Sequence, residues 1–294
     1  MLCRKLALIG VGLLGGSLGL AARQRRLAGE VAGFVRREAS RAECLKAGAV
    51  DVATLDLAVA ARDADLVVLC TPIGQMRELA ARLAPLLSRG AVVTDVGSVK
   101  AGVVAEVEPL LGAAGAFFVG SHPMAGAEKM GVAHARPDLF DGAVCVVTPS
   151  ATIPREAVSR VEALWQGVGA RVLHLAPGQH DDLVARSSHL PQVLATALAN
   201  YVLDEALPPE QAQLCAGGFR DGTRIASGSP EMWRDILLAN RVPIAAALRE
   251  FLGKLEGIRT AIEQGDAPAI SRWLADGKRR RDGWLNQRKN NPSE

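Results

Sequence analysis

The sequence predicts a doubly wound, mostly parallel α/β sheet followed by an all-helical segment. Three observations carry that expectation. Short apolar runs alternate with helical stretches from the first residues to about 176, the pattern of successive βαβ units. The runs are apolar nearly throughout, as in Leu66-Val67-Val68-Leu69, so both faces of each strand are to be buried, as in a parallel sheet. After Pro177 the strand-like runs cease and the remainder reads as helix.

Taken in order, strands are expected over 4–10, 31–35, 64–70, 91–96, 116–119, 143–147 and 172–175. Helices are expected over 14–26, 39–47, 75–87 (just after Pro72), 101–111 and 155–167. This divides the chain into a dinucleotide-type domain, 1–176, and a helical substrate and dimerisation domain, 177–294. In the helical part, Ile244, Leu248, Phe251, Leu255, Ile258 and Ile262 recur at alternating steps of four and three, an apolar stripe of the coiled-coil kind. Such a stripe serves either an internal core or a partner subunit.

Composition narrows the function classes. Of 294 residues, 49% are hydrophobic and 22% charged, which excludes a disordered chain. The net charge is +3, and its excess sits in the tail around Lys278-Arg279-Arg280-Arg281, read as a solvated helix end. The near-neutral body argues against nucleic-acid binding. Five cysteines (Cys3, Cys44, Cys70, Cys145, Cys215) are too dispersed for a metal knuckle or redox pair, so no metal is expected and a reducing cytoplasm is. Residues 6–22 imitate a secretory signal but hold five glycines and run directly into folded-looking sequence; nothing else approaches a membrane span.

The first chemical signal is Ile9-Gly10-Val11-Gly12-Leu13-Leu14-Gly15, a G-x-G-x-x-G that follows a strand and opens a helix. Gly10 permits the tight turn, Gly12 lets the backbone approach a pyrophosphate, and Gly15 lets helix and strand pack closely. The first-turn amides, from Leu13 and Leu14 onward, then face the phosphate charge. The domain is therefore expected to be Rossmann-like. About 20 residues on, a site for NAD usually carries an acid for the ribose hydroxyl. Here Val35 stands in that place, followed by Arg36 and Arg37, with Ser40 nearby. Guanidinium groups bind a 2′-phosphate through charge-assisted hydrogen bonds, which favours NADP over NAD.

Ligands of open α/β sheets bind beyond the carboxyl ends of the strands. Polar clusters lie at such ends: Cys70-Thr71-Pro72, Asp95-Val96-Gly97-Ser98-Val99-Lys100, and the run 120–126, GSHPMAG. Two of five histidines occupy notable settings, His122 in Ser121-His122-Pro123 and His189 in Ser188-His189-Leu190-Pro191.

The run 120–126 with Glu128, SHLP at 188–191, GGFRDGTRIA at 217–226 and Met232-Trp233-Arg234-Asp235-Ile236 occur together in this order. With the glycine fingerprint and the DVGSVK segment, the chain resembles the prephenate/arogenate dehydrogenases of tyrosine biosynthesis over about residues 5–260. The resemblance implies NAD(P)-dependent oxidative decarboxylation of a cyclohexadienol, with hydride passing to nicotinamide. It implies that His122 accepts the ring-hydroxyl proton, a task suited to imidazole at neutral pH. Ser98 would bond that histidine and the substrate hydroxyl. Arg224 would grip a substrate carboxylate, while Ser121, His189 and Trp233 would complete the substrate pocket. Thr71 and Pro72 would border the nicotinamide. A homodimer formed through the helical domain is implied as well.

Departures from the family pattern lie at Ala127, Gln192 and Gly222, and leave prephenate and arogenate both open. Glu128 and Asp221 are candidates to meet an ammonium group. No regulatory domain is expected, so any feedback by tyrosine would act at the active site. Two rival readings stand beside this one. A β-hydroxyacid-type dehydrogenase would want a cleft lysine in the helical half, where only Lys254, Lys278 and Lys289 occur. A non-catalytic NADP-binding sensor would not need His122, Ser98 and Arg224 together.

Overall fold

The structure is a computed structural model and describes residues 1–126 and 130–290. Strands β1 (Cys3–Ile9), β2 (Ala28–Phe34), β3 (Val52–Thr54), β4 (Leu66–Leu69), β5 (Val92–Asp95), β6 (Phe117–Pro123), β7 (Val144–Thr148) and β8 (Arg171–His174) form one eight-stranded sheet. Its order is β3-β2-β1-β4-β5-β6-β7-β8. The first six positions are parallel; β7 runs antiparallel to β6 and parallel to β8.

Helices α1 (Leu13–Gln24), α2 (Glu38–Lys46), α3 (Leu57–Ala61), α4 (Ile73–Leu83), α5 (Ala101–Ala113) and α6 (Arg155–Gly167) cover the two faces. The unbroken apolar character of the strands follows from this sandwiching. In β1, Leu6 and Leu8 enter the core with Leu18, Val161 and Trp165. Ala7 and Ile9 point the other way, into a core with Leu57, Met76, Leu79 and Val107. Successive side chains alternate across a strand, so a sheet covered on both sides needs apolar residues at every position.

β3 and α3 were not expected from the sequence. β3 is a three-residue edge strand with Val52 exposed, and α3 spans five residues, so neither offers a full period of hydrophobic pattern. The helix expected over 75–87 instead ends at Leu83, with a 3-10 turn over Ala84–Leu86 around Pro85.

After β8 the chain is helical: α7 (Pro177–Val184), α8 (Leu190–Val202), α9 (Glu210–Gln213), α10 (Gly217–Thr223), α11 (Pro230–Ala239), α12 (Arg241–Glu263) and α13 (Ala267–Asn290). A π-helical turn, Ala185–His189, joins α7 to α8. Pro191 explains it. Its ring cannot donate back to Ser187 and would collide with that carbonyl in a regular helix, so the turn widens. The apolar stripe of α12 is only partly covered by its own chain. Ile244 is buried, Phe251 and Ile258 are half-buried, and Ile262 is 61% exposed. Tyr201, Val242 and Trp273 are likewise exposed. Among the described residues, no helix is long and apolar enough to cross a membrane.

Candidate active site

The strand order reverses between β1 and β4, and their carboxyl ends open a crevice there. A cavity of about 510 Å³ occupies it, lined among others by Gly10, Gly12, Arg36, Arg37, Ser40, Thr71, Pro72 and Arg82. The glycines act as their sequence context required. Gly10 has φ +100°, and a Cβ at Gly15 would lie 2.1 Å from the Gly10 carbonyl oxygen. A Cβ at Gly12 would meet open space, so the start of α1 is bare toward the cavity. Thr71 Oγ1 is buried without a hydrogen-bond partner, a polar atom left for a ligand. The chain thus fits a dinucleotide: a glycine cradle, helix amides, an orphan hydroxyl and an arginine-lined far end. Leu13 and Leu14 form the first turn of α1 and, like Gly15, do not line the cavity; their contribution is through backbone. Arg82, on α4, was not anticipated as a lining residue.

Beyond β5, a buried ion pair shapes the second half of the site. Lys100 and Asp95 are both fully buried and bonded to each other. Asp95 also accepts from Gly97 N–H (2.8 Å) and Ser121 N–H (3.0 Å), and Lys100 donates to the Ser121 carbonyl (2.9 Å). Two charges out of water persist only when such surrounding bonds satisfy them. Together they lock the β5–α5 turn to β6 and so fix where His122 stands.

The Ser121 side chain, expected in the substrate pocket, is fully buried and bonded within the protein. Its hydroxyl donates to the Asp95 carbonyl (2.6 Å), lies 2.7 Å from Thr94 Oγ1 and accepts from Trp165 Nε1 (2.9 Å). Neighbouring residues of a strand face opposite sides, and Ser121 faces α6 while His122 faces α7. Ser98 is half-buried in the β5–α5 turn, but the ring bond of His122 runs to another residue.

That residue is His180, on α7. His122 Nδ1 lies 2.8 Å from His180 Nε2, and His180 Nδ1 lies 2.8 Å from Asp181 Oδ1. The Asp181 carboxylate accepts the backbone N–H of Lys100 (2.7 Å) and Ala101 (2.8 Å) at the start of α5. Burial first, then His180, the Lys100 ammonium and His189, holds the His122 imidazole well below its ordinary range and therefore neutral. Its Nε2 takes no hydrogen bond from a described residue.

His189 ends the π turn and is fully buried. Asn240, between α11 and α12, donates Nδ2 to the Asp181 carbonyl (2.9 Å) and lies 3.0 Å from His189 Nδ1. A carbonyl can only accept, so the amide must present N–H to both groups. His189 Nδ1 is then the acceptor and its proton sits on Nε2, which is buried without a partner. Trp233, on α11, meets the His189 ring edge-on at 6.1 Å. Arg224 opens a 3-10 turn (Arg224–Ser227) packed on α8 and is exposed, while Asp221 pairs with Arg220 (3.1 Å). Gln192 is buried in α8. Ala127 and Glu128 lie outside the described residues.

Sequence reasoning therefore missed His180, Asp181 and Asn240. A His-Asp pair in the first helix after the sheet was the available signal for the first two. Asn240 offered none, because only the fold brings it to Asp181.

Burial pushes His189 down to about 4, with His180 adding to the effect and Asp181 opposing it. An unfolded histidine takes its proton near 6.5. Stability from the neutral form is thus fully present above pH 6.5 and lost as pH falls toward 4. A thermal melt should show an acid-side decline of as much as ~3 kcal/mol across that window, flattened in His189→Asn.

Residues 18–174 match the family model for the nucleotide-binding domain of prephenate dehydrogenase, and residues 176–276 the model for its dimerization domain. A prephenate dehydrogenase of Bacillus subtilis is 36% identical over 94% of this chain and 75% of its own. A cyclohexadienyl dehydrogenase of Zymomonas mobilis is 32% identical over 95% of each chain. The crystal structure of Aquifex aeolicus prephenate dehydrogenase with hydroxyphenyl propionate and NAD+ superposes with a TM-score of 0.90 at 31% identity, covering 95% of this chain and 98% of that one.

Proposed function

This chain belongs to the prephenate dehydrogenase family, a family of nicotinamide-dependent oxidoreductases, and from that premise we propose that it oxidatively decarboxylates prephenate, arogenate or both, with NADP preferred, as a cytoplasmic homodimer. The observation that carries the reading is a pair of buried neutral imidazoles of opposite polarity. His122 offers an Nε2 with no hydrogen bond from a described residue, His189 offers an Nε2–H, and both rings are tied to the His180-Asp181 pair, His122 directly and His189 through Asn240.

A nicotinamide, when bound, supplies the hydride acceptor. The residues do the rest. His122 accepts the ring-hydroxyl proton as hydride leaves the carbon that bears it. The ring carboxylate departs as carbon dioxide and the product becomes aromatic, which supplies the driving force. His189 donates to a substrate oxygen, Arg224 pairs with a substrate carboxylate, Trp233 walls the pocket, and Ser98 bonds the hydroxyl end. Thr71 and Pro72 border the nicotinamide. Orientation against the cofactor is the protein's main contribution.

NADP preference rests on the tip of β2. Val35 is buried and is followed by Arg36 and Arg37, which line the cavity with Ser40 and Glu43, while Glu38 pairs with Arg41 (2.9 Å). Glu78, across the cavity, is held by Arg82 (3.7 Å). A two-by-two assay of prephenate and arogenate against NAD and NADP tests both choices. Turnover read at the reduced-nicotinamide band is expected, with a higher kcat/KM for NADP. A clear NAD preference would overturn the cofactor choice, and no turnover with either substrate would overturn the function.

Dimerisation is supported by the exposed apolar residues of α8, α12 and α13 and by the match to a dimerization domain. Light scattering should give twice the chain mass of 30.9 kDa. A stable, active monomer would sink this part alone.

A further inference from the structure

We propose that His180 is a positioning residue that fixes His122 as a proton acceptor and then stores the proton His122 releases, in a two-imidazole relay anchored on Asp181. The inference rests on the dehydrogenase reading for its role in turnover, but its resting geometry is independent of any substrate.

The polarity of the chain follows from its far end. Asp181 presents a carboxylate that already accepts two backbone N–H groups, and it can only accept from His180 as well. The neutral His180 ring therefore carries its proton on Nδ1 and has a bare Nε2. That nitrogen, 2.8 Å from His122 Nδ1, must accept in turn. His122 is left with its proton on Nδ1 and its lone pair on Nε2, the form that can take a hydroxyl proton.

When His122 gains that proton at Nε2, its Nδ1 proton moves to His180 Nε2. The substrate O–H bond breaks as His122 Nε2–H forms, and His122 Nδ1–H breaks as His180 Nε2–H forms, so the positive charge ends on His180. Charge placement favours the transfer. Among the described residues, the groups facing His122 are Lys100 from the β5–α5 turn, paired with Asp95; His180 with Asp181 from α7; His189 from the π turn; and the neutral Cys145 thiol from β7. An imidazolium at His122 would face the Lys100 ammonium, which disfavours it. An imidazolium at His180 faces the Asp181 carboxylate directly, and a charged hydrogen-bonded pair in a dry site is strong. His180 is fully buried, so the proton cannot leave there. It returns through His122 to the cleft once product has gone.

The resting state is read first, in the unmodified protein without substrate. Above neutral pH, nitrogen-15 spectra of the labelled histidines should show bare Nε2 on both His122 and His180, and bare Nδ1 on His189. A proton on His122 Nε2 would overturn the relay. Turnover is then compared in His180→Gln, with Asp181→Asn as a second route to the same loss. Both should lower kcat by roughly 10- to 100-fold and leave the substrate KM within about twofold. The solvent-isotope proton inventory should change from curved, with two protons in flight, to linear. The acid limb of kcat/KM should move, because His180 acts on the charge of His122. An equal rate loss at every pH with the curvature retained would mean a packing role only, and would overturn the proposal. Absence of turnover in the unmodified protein would sink the dehydrogenase reading and leave the tautomer measurement standing.

Discussion

His122→Asn is expected to lower kcat by about 10²- to 10⁴-fold, the range of general-base catalysis, while the substrate KM changes by less than about threefold. Asparagine can occupy the end of β6 and hydrogen-bond a hydroxyl, but it cannot accept the proton. The native imidazole is well suited because its surroundings keep it neutral. Burial, His180 and the Lys100 ammonium all disfavour the cation. Steady-state kinetics with both substrates saturating decide the matter. A raised KM with kcat preserved would make His122 a binding residue and reassign the proton to another group.

The second large effect falls on the opposite lobe. Arg224→Ala should raise the substrate KM by roughly 10- to 100-fold, in keeping with ~1.5–3 kcal/mol for hydrogen bonds to a charged group. The turnover number at saturation should stay within about threefold. Arg224→Lys should recover only part of the loss, since an ammonium cannot present two parallel N–H groups to a carboxylate. Measured KM values for the three proteins give the answer. A fall in kcat at unchanged KM would place Arg224 in the chemical step instead.

How much was legible in the sequence depended on the range of the forces involved. The glycine turn was readable because its reasons are local: a positive φ at Gly10 and a contact between Gly15 and the Gly10 carbonyl five residues away. The sheet was readable because unbroken apolar runs have few other uses. β3 was not, since three residues at an edge carry no period. The placement of the Ser121 side chain follows a simple rule. Adjacent strand residues face opposite sides, so His122 and Ser121 could not both reach the cleft. His180 and Asn240 escaped for a different reason. Their roles come from bonds spanning 58 and 51 residues, to His122 and His189, and no local pattern encodes a partner that distant.

The Asp181 carboxylate, clasped by the first amides of α5, limits how the enzyme can breathe. A clamshell swing of the helices away from the sheet would strip a buried carboxylate of two N–H donors, a penalty of several kcal/mol. Substrate entry and product escape are therefore expected to proceed by local rearrangement at the cleft mouth, with α7 held on α5.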